Sequence, residues 1–203
     1  QQILPVESAK SDQLSTTRPG ISFAGNITPV SQQKSPLLKE TPIQTWEHLG
    51  KSILYAIAGD DIQSYFGFRP SISIVKSPLP MASIGESGRI IFSSGLLSML
   101  TSQEEFAFVI SHEIAHQLLG HHSGTGHQWS LEEESKADEL ALRLLEVGGY
   151  RSAGAISILE KLERFGADAG LALDALHPTL SARRLRLSEL LITQATMGSP
   201  LHL

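Results

Sequence analysis

At 203 residues, 41% hydrophobic and 18% charged, the chain has the size of one globular domain with a loose extension. A formal net charge of −5 with no basic run excludes an electrostatic footprint for nucleic acid or for an anionic membrane surface. The absence of cysteine excludes a disulfide framework and any thiolate metal site.

The chain opens on Gln1-Gln2 and holds no apolar run approaching about 18 residues, so neither a transmembrane helix nor a signal peptide is expected in it. That pattern fits a removed targeting segment or an excised soluble portion. Residues 1–40 are rich in Ser, Thr, Gln and Pro, with Arg18-Pro19-Gly20 and Ser35-Pro36 as breakers. An extended arm is expected there, a tether or a pro-segment, with at most one short strand at 21–23. Residues 41–203 are expected to form the folded domain.

Trp46, Leu49, Ile53, Leu54 and Ile57 recur at helical spacing, which predicts an amphipathic helix over 43–58, ended by Gly59-Asp60-Asp61. Residues 71–76 alternate as a strand does, Pro78-Leu79-Pro80 turns a corner, and 81–94 read as two short strands around Glu86-Ser87-Gly88. The result is a small antiparallel sheet. Its outer strand could pair with an extended peptide or simply cover the helix that follows. Residues 95–100 make a short helical turn.

The next helix, over 102–120, carries the chemistry. Ser102 and Glu105 read as a capping box, residues 106–110 are apolar nearly all round, and Gly120 is a stop signal. Inside it stands His112-Glu113-Ile114-Ala115-His116, a pattern expected by chance only about 0.02 times in a chain with 8 histidines. Residues four apart share a helix face, so both histidines can hold one metal while Glu113 serves as general base toward water. Hydrolytic zinc sites use three protein ligands and keep a position for water. Two satisfied core histidines are the plainer alternative.

Two candidates compete for the third ligand. His122 lies at the metzincin distance from His116, but the glycine that turn requires stands at 120, with Leu119 in its place. The other candidate is a helix over 131–142 that puts Glu134, Ala137, Asp138 and Ala141 on one face. Its alanines permit close approach to the zinc helix. Glu134 could then ligate, and Asp138, one turn on, could accept from the free ring nitrogen of His112 and fix its tautomer. A solvated helix N-terminus explains such acidic residues equally well, and suits Glu132, Glu133 and Glu139. His121, His122 and His127 are expected to be loop residues rather than ligands.

Residues 150–165 predict another amphipathic helix, with Ala155, Ile156, Leu159 and Leu162 inward. A loop or short helix is expected over 166–176, then His177-Pro178 and a last helix, capped by Thr179, with Leu185, Leu187, Leu190 and Leu191.

Gly95-Leu96-Leu97, the His112–His116 motif, Glu134 to Asp138 with Ala137 before the aspartate, and His177-Pro178 leading to Arg183 together resemble the HtpX-like and CAAX-prenyl-protease-like gluzincin metallopeptidases. The resemblance spans about residues 70–190. It implies an α+β, mainly helical, zincin-like fold with a small antiparallel sheet beside the HExxH helix. It implies one zinc ion per chain on His112, His116 and Glu134, with Glu113 as base and Asp138 behind a ligand histidine. His177 and Arg183 would stand near the metal and stabilise negative charge in the transition state. Alternatively His177 is a fourth ligand that closes the water position, and Arg183 anchors a carboxylate. The implied activity is endoproteolysis of unfolded or extended polypeptide, in protein quality control. Soluble periplasmic BepA-type catalytic domains are similar, which suggests the bacterial cell envelope, the alternatives being the cytoplasm or a soluble part of a membrane-associated protein. Where relatives carry Asn-Ala-Phe before the motif, this chain has Met81-Ala82-Ser83.

Two other classes compete. A chaperone-like module could keep the fold and hold extended polypeptide without cleaving it. A carboxylate-bridged di-iron bundle needs two Glu-x-x-His elements, and the chain has one, at Glu113–His116.

Overall fold

The computed structural model describes residues 42–121, 129–169 and 180–197. The expected arm, His122, His127, Gly170, His177 and Thr179 lie outside them. No helix among the described residues is long and apolar enough to cross a membrane.

Helix α1 (Ile43–Ala58) buries Trp46, Ile53, Leu54 and Ile57, the stripe its periodicity marks out. After the short α2 (Ile62–Phe66) come β1 (Ser71–Val75), β2 (Ala82–Ile84) and β3 (Arg89–Ser93). β2 and β3 form the expected antiparallel hairpin, closed by Gly88 N–H donating to the Gly85 carbonyl at 2.8 Å. The all-antiparallel sheet is corrected in one respect: β1 joins β3 in parallel, giving the order β1-β3-β2 and a mixed sheet. β3 is therefore central. Its Ile90 and Phe92 are fully buried, while β2 is left as an edge.

Ser93 ends β3 and ties three pieces together. Its hydroxyl accepts from Leu96 N–H at 3.1 Å, capping α3 (Ser94–Met99), and from Met81 N–H at 2.9 Å, pinning the entry to β2. The chain crosses itself tightly at this corner. A Cβ on Gly95 would sit 2.2 Å from the Pro78 carbonyl oxygen, so no larger residue fits the start of Gly95-Leu96-Leu97 without moving backbone.

Helix α4 (Gln103–Leu118) runs through the middle of the protein, and every residue from Glu105 to His116 is buried. Phe106 packs edge-on against Trp46 and Phe92, at ring separations of 5.0 Å in both cases, and so joins α1, the sheet and α4. α5 (Leu131–Val147) and α6 (Ala153–Ala169) pack on α4, and α7 (Leu180–Met197) lies against α5 and α6. α5 and α6 each run past their expected ends. Of the two alternatives at 166–169, loop or helix, the chain takes helix, continuing α6, whose packing along α4 outweighs the roughly 1 kcal/mol penalty of Gly166 inside a helix. On α7, Leu187 faces the core, whereas Leu185 is exposed.

The capping box on α4 is half formed. Ser102 Oγ accepts from Glu105 N–H at 3.2 Å, but the Glu105 carboxylate turns away. It accepts from Thr101 N–H, Ser157 Oγ and Lys161 Nζ, each at 2.6 Å, and so anchors α6 to the head of α4. A complete capping box forms instead on α5, between Ser130 and Glu133. Burial pushes the Glu105 carboxyl up, but the Lys161, Ser157 and Thr101 donors outweigh it and hold it below the usual carboxylate range. A depressed carboxyl stabilises the fold above its unfolded value of about 4.3 and loses that contribution as pH falls through the folded value. Glu105→Gln is therefore expected to lower stability by about 1–3 kcal/mol near neutral pH. In thermal melts the gap between wild type and variant should shrink from pH 7 to pH 3; a gap independent of pH would show that the ionised carboxylate is not what stabilises.

Candidate metal centre

α4 and α5 bring the site together. Ala137 and Ala141 are fully buried on the inner face of α5, and these small side chains let that helix lie close to α4. Glu134, one turn before Asp138 on the same face, then meets the two histidines. The Nε2 atoms of His112 and His116 lie 3.0 Å apart, His112 Nε2 is 3.3 Å from Glu134 Oε2, and His116 Nε2 is 3.7 Å from Glu134 Oε1. All three residues are buried.

Two tests bear on whether zinc fits. Bonds of 2.0–2.1 Å in tetrahedral array put ligand atoms about 3.3 Å apart, and the three observed separations bracket that value. The second test is charge. With carboxylates ionised and imidazoles neutral, Glu113, Glu134 and Asp138 against the single Arg183 leave a net charge of about −2 in a buried place, which one divalent cation neutralises. Two imidazole nitrogens and a carboxylate oxygen are also donors that zinc accepts. The residues fit the ion.

The free ring nitrogens are held as well. His112 Nδ1 lies 2.9 Å from Asp138 Oδ1, and a hydrogen donated there leaves Nε2 as the lone-pair atom facing the cluster. Burial and the Arg183 charge push the His112 imidazole down, but hydrogen bonding to Asp138 and Glu134 outweighs them and raises it to about 9. Acceptors that hold a proton so firmly also favour a metal cation. Burial likewise pushes the Asp138 carboxyl up, while Arg183 and His112 outweigh it and keep it below the ordinary range.

Arg183 enters from α7, only 3% exposed. Its Nε and Nη2 donate to the two oxygens of Asp138 at 2.8 and 2.6 Å, and its Nη1 lies 2.8 Å from Glu134 Oε2. The guanidinium thus clamps both α5 carboxylates, the alternative that the sequence left beside a direct catalytic part.

Sequence reasoning missed His121 and Trp129. Gly120, at φ 70°, turns the chain left-handed after α4, and His121 N–H returns to the His116 carbonyl at 2.9 Å. The turn carries the His121 ring back, with its Nδ1 3.1 Å from His116 Nδ1. A neutral His116 with its Nε2 lone pair on the cluster carries its hydrogen on Nδ1, so His121 is the acceptor. Burial keeps His121 below its usual value, as a neutral acceptor must be. Trp129 lies over His116 at 4.5 Å between ring centres. The signal was Gly120: such a cap places the residue after it against the last helical turn.

Of the site residues expected from sequence, the structure brings His112, Glu113, His116, Glu134, Asp138 and Arg183 together; His177 lies outside the described residues. Among the described residues one cluster of metal-ligating type is present, His112, His116 and Glu134. A mainly helical body, a small mixed sheet and two histidines on one helix facing a glutamate from the next define the gluzincin class. Residues 62–128 match the model of peptidase family M48, in support of the resemblance to the HtpX-like and CAAX-prenyl-protease-like metallopeptidases. The match ends before α5, so Glu134, Asp138 and Arg183 join the site by geometry. No curated protein matches the chain.

Proposed function

We propose that the protein is a zinc-dependent endopeptidase acting on extended or unfolded polypeptide. The observation that carries the reading is the convergence of Glu134 from α5 on His112 and His116 of α4, the helix that also bears buried Glu113. Zinc, when bound there, supplies Lewis acidity toward a peptide carbonyl and toward water. Glu113 takes the proton from the attacking water and returns it to the departing nitrogen. Asp138 and His121 hold the two imidazoles in the tautomers that present Nε2. Arg183 keeps Glu134 and Asp138 in place and acts through them, as a positioning residue.

The edge strand β2 supports an extended substrate. Among the described residues no strand pairs with its outer side, and Ala82, with the adjacent Met81, borders the same cavity as Glu113. A peptide added there would lie alongside the site. The envelope location implied by the resemblance belongs to this proposal, and fractionation of source cells would test it.

Removal and return of metal test the reading directly. Dialysis against a chelator is expected to abolish cleavage of unfolded casein, and one equivalent of zinc per chain to restore it. Cleavage indifferent to the chelator would refute a metallopeptidase, and recovery only with two irons per chain would favour the di-iron alternative.

A further inference from the structure

The first turn of α5 reaches His116 twice. Trp129 stands immediately before the N-cap Ser130, and the capping box fixes that turn: Ser130 N–H donates to Glu133 Oε2 at 2.8 Å, and Glu133 N–H donates to Ser130 Oγ at 3.2 Å. Glu134 is the next residue. One rigid turn therefore sets the Glu134 carboxylate 3.7 Å from His116 Nε2 and lays the Trp129 indole on the same imidazole, with 4.5 Å between ring centres and 34° between planes. The indole also reaches the His121 ring, at 5.6 Å and 41°. It thus lies beside both rings of the hydrogen bond that joins His116 Nδ1 to His121 Nδ1.

The two ligand imidazoles are backed unequally. Behind His112 stands a carboxylate, Asp138, itself held by two hydrogen bonds from Arg183, so its bond to the imidazole is charge-assisted. Behind His116 stands only a neutral imidazole, on a half-buried turn residue. Water competes with a neutral acceptor on nearly equal terms, so this bond orders His116 only where water is kept away. Trp129 is 9% exposed, and the flat apolar surface of its indole covers the bond from one side. Stacking also opposes rotation of the His116 ring.

We propose that Trp129 is a positioning residue for zinc: it keeps water from the His116–His121 hydrogen bond and so holds His116 with Nε2 toward the metal. The role rests on the zinc site of the peptidase reading and not on cleavage. The zinc-loaded protein with isotope-labelled histidine tests it by NMR, and competition with a metal-sensitive dye measures zinc affinity. In the wild type the Nδ1 proton of His116 is expected to exchange slowly with water. His121→Ala removes the acceptor, identifies that proton by its loss, and should weaken zinc about 10–100-fold, the usual effect of removing such a partner. Trp129→Leu keeps an apolar side chain too small to cover both rings, and it should speed proton exchange and weaken zinc, each about tenfold. Trp129→Phe, the gentler change, should restore zinc affinity to within about threefold of wild type while still speeding exchange.

Adding Trp129→Leu to His121→Ala should weaken zinc no further, because the indole acts through the bond already lost. Thermal melts verify that each variant folds. Exchange at the wild-type rate in every Trp129 variant that folds, or a further loss of affinity in the double variant, overturns the role. The expected zinc and exchange effects with no cleavage of unfolded casein would overturn the peptidase reading and leave the role of Trp129 in place; cleavage with unchanged exchange would do the reverse.

Discussion

Glu113→Gln is expected to lower hydrolysis of unfolded casein by about 10²–10⁴-fold, the range that a positioned general base contributes. This corresponds to about 3–5 kcal/mol of activation free energy. Zinc content should stay at one per chain, because Glu113 is not among the three residues whose donor atoms converge. Glutamine keeps nearly the same shape, so the buried helix need not repack, and only the capacity to take a proton is lost. The comparison also separates the two functional classes. A polypeptide-holding module would bind unfolded substrate equally well in both forms and cleave it in neither. Equal cleavage by wild type and variant would defeat the mechanism.

Glu134→Gln should weaken zinc binding by more than about 100-fold, beyond the 10–100-fold typical of residues that only support a ligand. The change removes a carboxylate whose Oε2 stands 3.3 Å from His112 Nε2 and whose Oε1 stands 3.7 Å from His116 Nε2, and it halves the buried negative charge that favours a divalent cation. Competition with a chromophoric chelator measures the loss, with far-UV circular dichroism to verify that α5 remains. Undiminished affinity would return His122 to consideration as the third ligand.

The parts of the site legible in the sequence are those governed by helical spacing. His112, Glu113 and His116 are local to one helix, and a period of 3.6 residues places them without reference to the rest of the chain. Glu134 and Asp138 needed one further step, the alanines at 137 and 141 that mark the close-packed face. What escaped was decided by distant partners or by turn geometry. Glu105 has the sequence of a capping glutamate, but Lys161, 56 residues further on, captures its carboxylate. The parallel pairing of β1 with β3 joins segments that alternate alike in either direction, so alternation alone could not give the strand order. His121 reads as loop, and only the left-handed turn at Gly120 brings it to His116.

The guanidinium from α7 has a consequence for how the protein matures. Until that helix docks, Glu134 and Asp138 face each other across a single helical turn without the cation that holds them, and they would repel each other and splay. α7 follows both other site helices in the chain, so it is the last of the three to be synthesised. Arg183 thus behaves as a tethered counter-ion, supplied by the last of the three helices to two carboxylates of α5.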